Sequence, residues 1–161
     1  MIMSEPNILL TRIDNRLIHG QVGVTWTNSL GANLILVADD ETAANPIVQE
    51  LMTPTAKAAG AGARFFTLKK TIDVIGKASP RQKIFIVAKT PKAVRTLIEG
   101  GVPIREVNVG NMHYSEGKRQ ISKKVYVDDE DLADLKAIKD AGVKLYIQDV
   151  PDDSKEAVKG I

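Results

Sequence analysis

The stretch Lys83-Ile-Phe-Ile-Val-Ala-Lys-Thr-Pro-Lys-Ala-Val-Arg-Thr-Leu-Ile-Glu-Gly-Gly101 decides the reading of the fold. Ile84 to Ala88 is a continuous apolar run rather than an alternating one, as a strand covered on both faces of a parallel sheet requires. Thr90-Pro91 follows as N-cap and first helical residue. The threonine oxygen accepts from first-turn N–H groups, and proline has no N–H to leave unpaired there. Val94, Leu97 and Ile98 recur at helical spacing, and Gly100-Gly101 ends the pattern. Strand, cap, helix and stop form one crossover unit.

The same signals recur on either side. Short apolar runs stand at Ile8-Leu10, Leu34-Ala38, Phe65-Phe66, Val107-Val109, Val125-Val127 and Leu145-Ile147. Val22, Trp26 and Leu30 share a face, with Gly31 as the stop. Asn45-Pro46 caps a helix carrying Ile47, Leu51 and Val48, Met52. Asp128 to Asp131 puts negative charge at the start of a helix bearing Leu132, Leu135 and Ile138, closed by Gly142. Residues 110–124 break the rhythm and read as an ordered loop or short hairpin. The expectation is one α/β domain over residues 1–161: a single doubly wound, mostly parallel sheet of about seven strands with helices on both faces.

Bulk properties narrow the function. Lys plus Arg number 22 and Asp plus Glu 20, a net of +2, which supports neither a nucleic-acid footprint nor an acidic tail. With no cysteine, disulfides, thiolate metal sites and Cys nucleophiles are excluded. Met1 to Asn7 lacks the basic n-region of a secretory signal. The apolar runs fall far short of the roughly 18 residues a membrane span needs. A soluble, cytoplasmic chain is expected.

In doubly wound sheets, ligands bind beyond the carboxyl ends of the strands. The loop leaving the first strand holds Asp14, Asn15, Arg16, His19 and Gly20 within seven positions. A neutral imidazole is abundant near neutral pH and nucleophilic. Arg16 can offer a planar fork to phosphoryl oxygens, and the next helix adds its N–H groups and dipole. Gly20 admits close backbone approach, while Asp14 can orient Arg16 or the ring. Residue types alone leave the plainer reading open: His19 bonded to backbone at a helix start, and Arg16–Asp14 a surface pair.

Other candidates read more weakly. His113 could line the same crevice but suits a structural or substrate-adjacent place better than a second carrier. Asp39, Asp40 and Glu41 read as an acidic helix start rather than a metal site. Gly60-Ala-Gly62 lacks the third glycine of a dinucleotide fingerprint, and no Walker lysine motif exists. Lys118, Arg119, Lys123 and Lys124 form a solvated cluster, with docking to an acidic partner as the alternative.

Arg12-Ile-Asp-Asn-Arg-Leu-Ile-His-Gly-Gln-Val22 resembles the phosphorylation-site signature of the IIB subunits of the mannose–fructose–sorbose family of the bacterial phosphotransferase system. The likeness extends through Ala32-Asn-Leu-Ile-Leu-Val-Ala-Asp-Asp40, Gly101-Val-Pro103, Val107-Asn-Val-Gly-Asn-Met112 and Gly117-Lys-Arg-Gln-Ile-Ser122 to Gln148-Asp-Val-Pro151. Within the family the chain looks most like the N-acetylgalactosamine or galactosamine subunits. The resemblance implies that His19 takes a phosphoryl group on Nδ1 from a phosphorylated IIA protein. It would pass that group to the 6-hydroxyl of a hexose held by the membrane subunits IIC and IID. Arg16 would bind the phosphoryl oxygens, with Asp14 supporting the loop. Asn111 and His113 would line the crevice and mark the sugar subtype. No metal, nucleotide or other cofactor is implied, and membrane association would run only through IIC and IID. Other IIB families use a phosphocysteine, which this chain cannot form. Two alternatives stand beside this reading: the same carrier serving mannose, fructose or sorbose, and a regulatory module binding an anion or sugar phosphate without covalent chemistry.

Overall fold

A computed structural model describes residues 5–161. The segment read above as no secretory signal begins in residues 1–4, outside the described residues. Strands β1 (Asn7–Asp14), β2 (Leu34–Ala38), β3 (Gly62–Phe66), β4 (Lys83–Ala88), β5 (Glu106–Asn111) and β8 (Lys144–Ile147) form one sheet in the order β3-β2-β4-β1-β5-β8. Every pairing in it is parallel. β6 (Arg119–Ser122) and β7 (Val125–Val127) make a separate antiparallel hairpin. All seven apolar runs are therefore strands, but Val125–Val127 lies outside the main sheet, which has six. The hairpin is tied to the chain just beyond β5: Met112 N–H donates to the Lys124 carbonyl at 3.0 Å and Tyr126 N–H to the Met112 carbonyl at 2.9 Å.

The continuous apolar runs divide between two cores, one on each face. From β4, Phe85 and Val87 join Leu10, Ile35 and Val37 against Leu17, Ile18, Val22, Trp26 and Ala56. Ile84, Ile86 and Ala88 point the other way, with Ile13, Leu36, Val94, Leu97, Leu135 and Ile138. The first core lies under α1 (Thr27–Leu30) with the π-helical segment Gln21–Trp26 before it, and under α3 (Pro46–Ala58). The second lies under α4 (Leu68–Val74), α5 (Pro91–Glu99) and α6 (Asp129–Asp140). A short α2 (Asp40–Ala43) follows β2.

The caps follow the local chemistry. Thr90 and Asn45 accept from the N–H groups of Ala93 and Val48, each ahead of a proline in the first turn. Asp128 and Asp131 form a reciprocal capping box at α6. At α3 the apolar positions split: Val48 and Met52 are half-buried, whereas Ile47 and Leu51 stay 72% and 73% exposed. Helix α4 was not legible as a separate element; Thr67 caps it.

This winding places the first loop. β1 is flanked by β4 and β5, whose following helices lie on the face opposite to the helix that follows β1. The β1 loop thus opens at the topological switch point, where doubly wound sheets bind ligands.

Candidate functional site

The site is built on a charged residue inside β1. Arg12 is 0% exposed, and such burial is tolerated only when the charge is paired and its donors are used. Nε and Nη2 both donate to Asp14 Oδ2 at 3.2 Å. Nη1 donates to Asn108 Oδ1 at 2.6 Å and to the Gln148 carbonyl at 3.1 Å. The guanidinium lies over the Trp26 ring, 5.1 Å from its centroid, and Trp26 Nε1 donates to the Asp149 carbonyl at 2.9 Å. A Cβ added at Gly110 would overlap the guanidinium, so glycine is what leaves it room. Burial pulls the Arg12 pKa below its usual value, against the opposing charge of Asp14; a guanidinium nonetheless keeps its proton.

Asp14, also fully buried, passes this arrangement to the loop. Its Oδ2 is 3.1 Å from His19 Nε2, and its Oδ1 accepts from the Arg16 N–H at 3.0 Å. Burial pushes the carboxyl up, but the His19 hydrogen bond, the Arg12 charge and the Arg16 N–H outweigh it and hold Asp14 below the usual carboxylate range. An ionised Asp14 can only accept, so Nε2 carries the ring proton and Nδ1 keeps its lone pair. Among the described residues no side chain bonds Nδ1, and the His19 side chain is 21% exposed.

The loop turns sharply to achieve this. Leu17 N–H donates to the Asp14 carbonyl at 3.0 Å. Leu17 itself has a φ of 57°, a left-handed conformation that costs a non-glycine residue about 1–2 kcal/mol. Its side chain is buried in the first core, which offsets that cost. The π-helical segment begins at Gln21, two residues after His19, with Gly20 at its cap, so its positive end lies near the imidazole. π turns are rare and concentrate at functional sites. An added Cβ at Gly20 would meet nothing within 4 Å, so this side of the chain is open.

The β5 end joins the same site. Asn15 Nδ2 pairs with His113 Nδ1, and the Asn15 N–H donates to the Asn111 carbonyl at 3.1 Å. Asp14, Asn15, Arg16, His19, Asn111 and His113 therefore converge. Arg16 remains 47% exposed, with Nε 3.7 Å from Asp14 Oδ1. Most of the other sequence candidates have structural partners. Asp39 caps α2 through Thr42, and Lys89 lies near both Asp39 and Glu41. Lys118, Arg119 and Lys124 each face a carboxylate, of Asp131, Asp129 and Asp149.

Arg12, Trp26, Asn108 and Gln148 were not among the sequence candidates. For Arg12 and Asn108 the signal was a charged or amide residue inside a strand; Gln148 follows β8 and Trp26 closes the π-helical segment, and neither carried such a signal. Among the described residues, no helix is long and apolar enough to cross a membrane.

An imidazole with one ring nitrogen held by a carboxylate, beside a half-exposed guanidinium at the switch point of a parallel sheet, is chemically suited to nucleophilic attack next to a bound anion. Residues 8–161 match the PTS system sorbose subfamily IIB component, and the chain belongs to that family. It is 64% identical over 156 residues to the N-acetylgalactosamine-specific phosphotransferase enzyme IIB component 1 of Escherichia coli K12, covering 97% of this chain and 99% of that one. The crystal structure of the Escherichia coli N-acetylgalactosamine-specific IIB component 1 superposes with a TM-score of 0.92, over 94% of this chain and 99% of that chain, at 64% identity. The mannose-specific EIIAB component of Escherichia coli K12 is 36% identical over 147 residues, 91% of this chain and 45% of that protein.

Proposed function

We propose that this IIB component is a cytoplasmic phosphohistidine carrier whose acceptor atom is His19 Nδ1. One observation carries the reading: the 3.1 Å contact between His19 Nε2 and Asp14 Oδ2, which occupies one ring nitrogen and leaves the other nucleophilic. The donor is a phosphohistidine on a IIA protein. The Nδ1 lone pair attacks phosphorus, the donor N–P bond breaks, and its electron pair returns to the donor imidazole. Arg16 meets the phosphoryl oxygens, while Asp14, backed by Arg12, stabilises the positive charge that develops on the ring.

In the second half-reaction the 6-hydroxyl of a hexose held by IIC and IID attacks phosphorus. The His19 N–P bond breaks and the hydroxyl proton leaves to solvent or the released imidazole. The first transfer exchanges one imidazole N–P bond for another, so its task is positioning rather than lowering a large covalent barrier; the second trades that bond for a phosphate ester on the sugar. N-acetylgalactosamine or galactosamine is the sugar. The 64% identity to an N-acetylgalactosamine-specific component, against 36% to a mannose-specific one, supports that choice.

The test is incubation with phosphoenolpyruvate, Enzyme I, HPr and the cognate IIA. An acid-labile, base-stable phosphate should appear on wild type and be absent from His19→Ala. Phosphate on the alanine variant, or none on wild type, removes the carrier role. Vesicles bearing the matched IIC and IID should phosphorylate galactosamine derivatives, and a preference for mannose would overturn the sugar.

A further inference from the structure

Asn111 closes β5 beside β1, where the register steps between Ile13 and Asp14. It grips the His19 loop at two points. Its carbonyl accepts from the Asn15 N–H at 3.1 Å. With its side-chain amide assigned so that oxygen faces Arg16, that oxygen accepts from Arg16 Nε at 2.8 Å and the side-chain nitrogen donates to the Lys124 carbonyl at 3.1 Å. Two of its three polar neighbours, the Lys124 carbonyl and the Arg16 Nε–H, select this amide orientation over the reverse; the third, Asn15 Oδ1 at 3.2 Å from the side-chain oxygen, does not.

Arg16 needs such a partner. Its Nε lies 3.7 Å from Asp14 Oδ1, beyond hydrogen-bond length. A long, half-exposed side chain loses rotamer freedom when held in one place. A neutral acceptor at Nε supplies the hold and leaves both terminal nitrogens for another anion. A carboxylate there would compete with the phosphoryl group for the same charge; a carboxamide does not.

We infer that Asn111 is a positioning residue for phosphoryl transfer, holding the Arg16 fork through Nε so that its terminal nitrogens serve the phosphoryl group on His19. The inference rests on the carrier role proposed above. It also links the β6–β7 hairpin to the site. The Lys124 carbonyl that receives the Asn111 side chain also accepts from the Met112 N–H at 3.0 Å, so the hairpin fixes the residue that fixes Arg16.

A double-mutant cycle tests it, with single-turnover transfer from the phosphorylated IIA protein measured for wild type, Asn111→Ala, Arg16→Ala and the double variant. Losing a hydrogen bond to a charged group should slow Asn111→Ala roughly tenfold, in the maximal rate rather than in the half-saturating IIA concentration. In the Arg16→Ala background the same substitution should cost nothing further. Equal losses in both backgrounds, or a wild-type rate for Asn111→Ala, would overturn the role. A wild-type rate for Arg16→Ala would instead sink the phosphoryl-binding reading, and this inference with it.

Asn111→Asp covers the case in which the alanine variant fails to fold, because it keeps the acceptor. The Arg16 Nε–H resonance should stay protected from exchange in wild type and Asn111→Asp. Rapid exchange in both would overturn the contact.

Discussion

Gly110→Ala should damage this protein far more than its size suggests. The added methyl overlaps the Arg12 guanidinium, which has no slack. Arg12 is held by Asp14 at 3.2 Å, Asn108 at 2.6 Å and the Gln148 carbonyl at 3.1 Å, with Trp26 across its face. Overpacking alone costs about 1–3 kcal/mol. Prising the guanidinium from Asp14 approaches the about 3–5 kcal/mol of a broken buried pair. A tilt that keeps part of the pairing lies between, at about 3 kcal/mol. A chain of this size loses about 2–4 °C of Tm per kcal/mol, so the melt should fall by roughly 6–12 °C. Gly76→Ala is the control: nothing lies within 4 Å of its added Cβ, and a surface change of that kind stays within about 0.5 kcal/mol. Calorimetry of both variants is the assay. A Gly110→Ala melt within about 2 °C of the control would show that Arg12 moves freely and that the Arg12–Asp14–His19 chain is not rigid.

Asp14→Asn should alter the pH dependence of stability. The Asp14 carboxyl is held below its usual value. A depressed carboxyl stabilises the fold above its unfolded pKa, about 4, and loses that contribution as pH falls through the lower folded value. The asparagine variant should therefore melt lower at neutral pH, with Arg12 unpaired, and show a flatter acid limb; an unchanged acid limb in melts across pH would contradict this. Asp128→Ala should remove the capping box of α6, where Asp131 N–H donates to Asp128 Oδ1 at 2.7 Å and Asp128 N–H to Asp131 Oδ2 at 3.1 Å. The expected cost is about 1 kcal/mol, read as a Tm lowered by about 2–4 °C.

Local signals carried most of the fold. Thr90-Pro91, Asn45-Pro46 and Asp128 to Asp131 marked helix starts because caps depend on neighbours three residues away. The apolar runs marked strands, but their partners are set at long range. Val125–Val127 is as apolar as the others, yet it has three residues and a neighbouring strand across a tight turn, so it closes a hairpin instead of joining the parallel sheet. The spacing of Val22, Trp26 and Leu30 read as one α-helical face. Intervals of four residues also suit the wider π turn that opens this helix, and spacing alone does not separate the two.

The site was legible where it is contiguous. Asp14, Arg16 and His19 lie within six positions at the end of β1, so the sequence singled them out together as candidates, although residue types alone left the plainer reading open. Arg12 stands two residues before Asp14, but its importance depends on Asn108 and Gln148, which are 96 and 136 residues away. The link from Asn111 to Arg16 is likewise a product of β5 lying beside β1.

Asp14, by occupying His19 Nε2, leaves Nδ1 as the proposed acceptor. Long-range proton–nitrogen NMR on the 15N-labelled, phosphorylated protein distinguishes the two ring nitrogens directly. Phosphorus coupled to Nδ1 of His19, with Nε2 protonated, is the expected result. Phosphate on Nε2, or on His113 in place of His19, would contradict it.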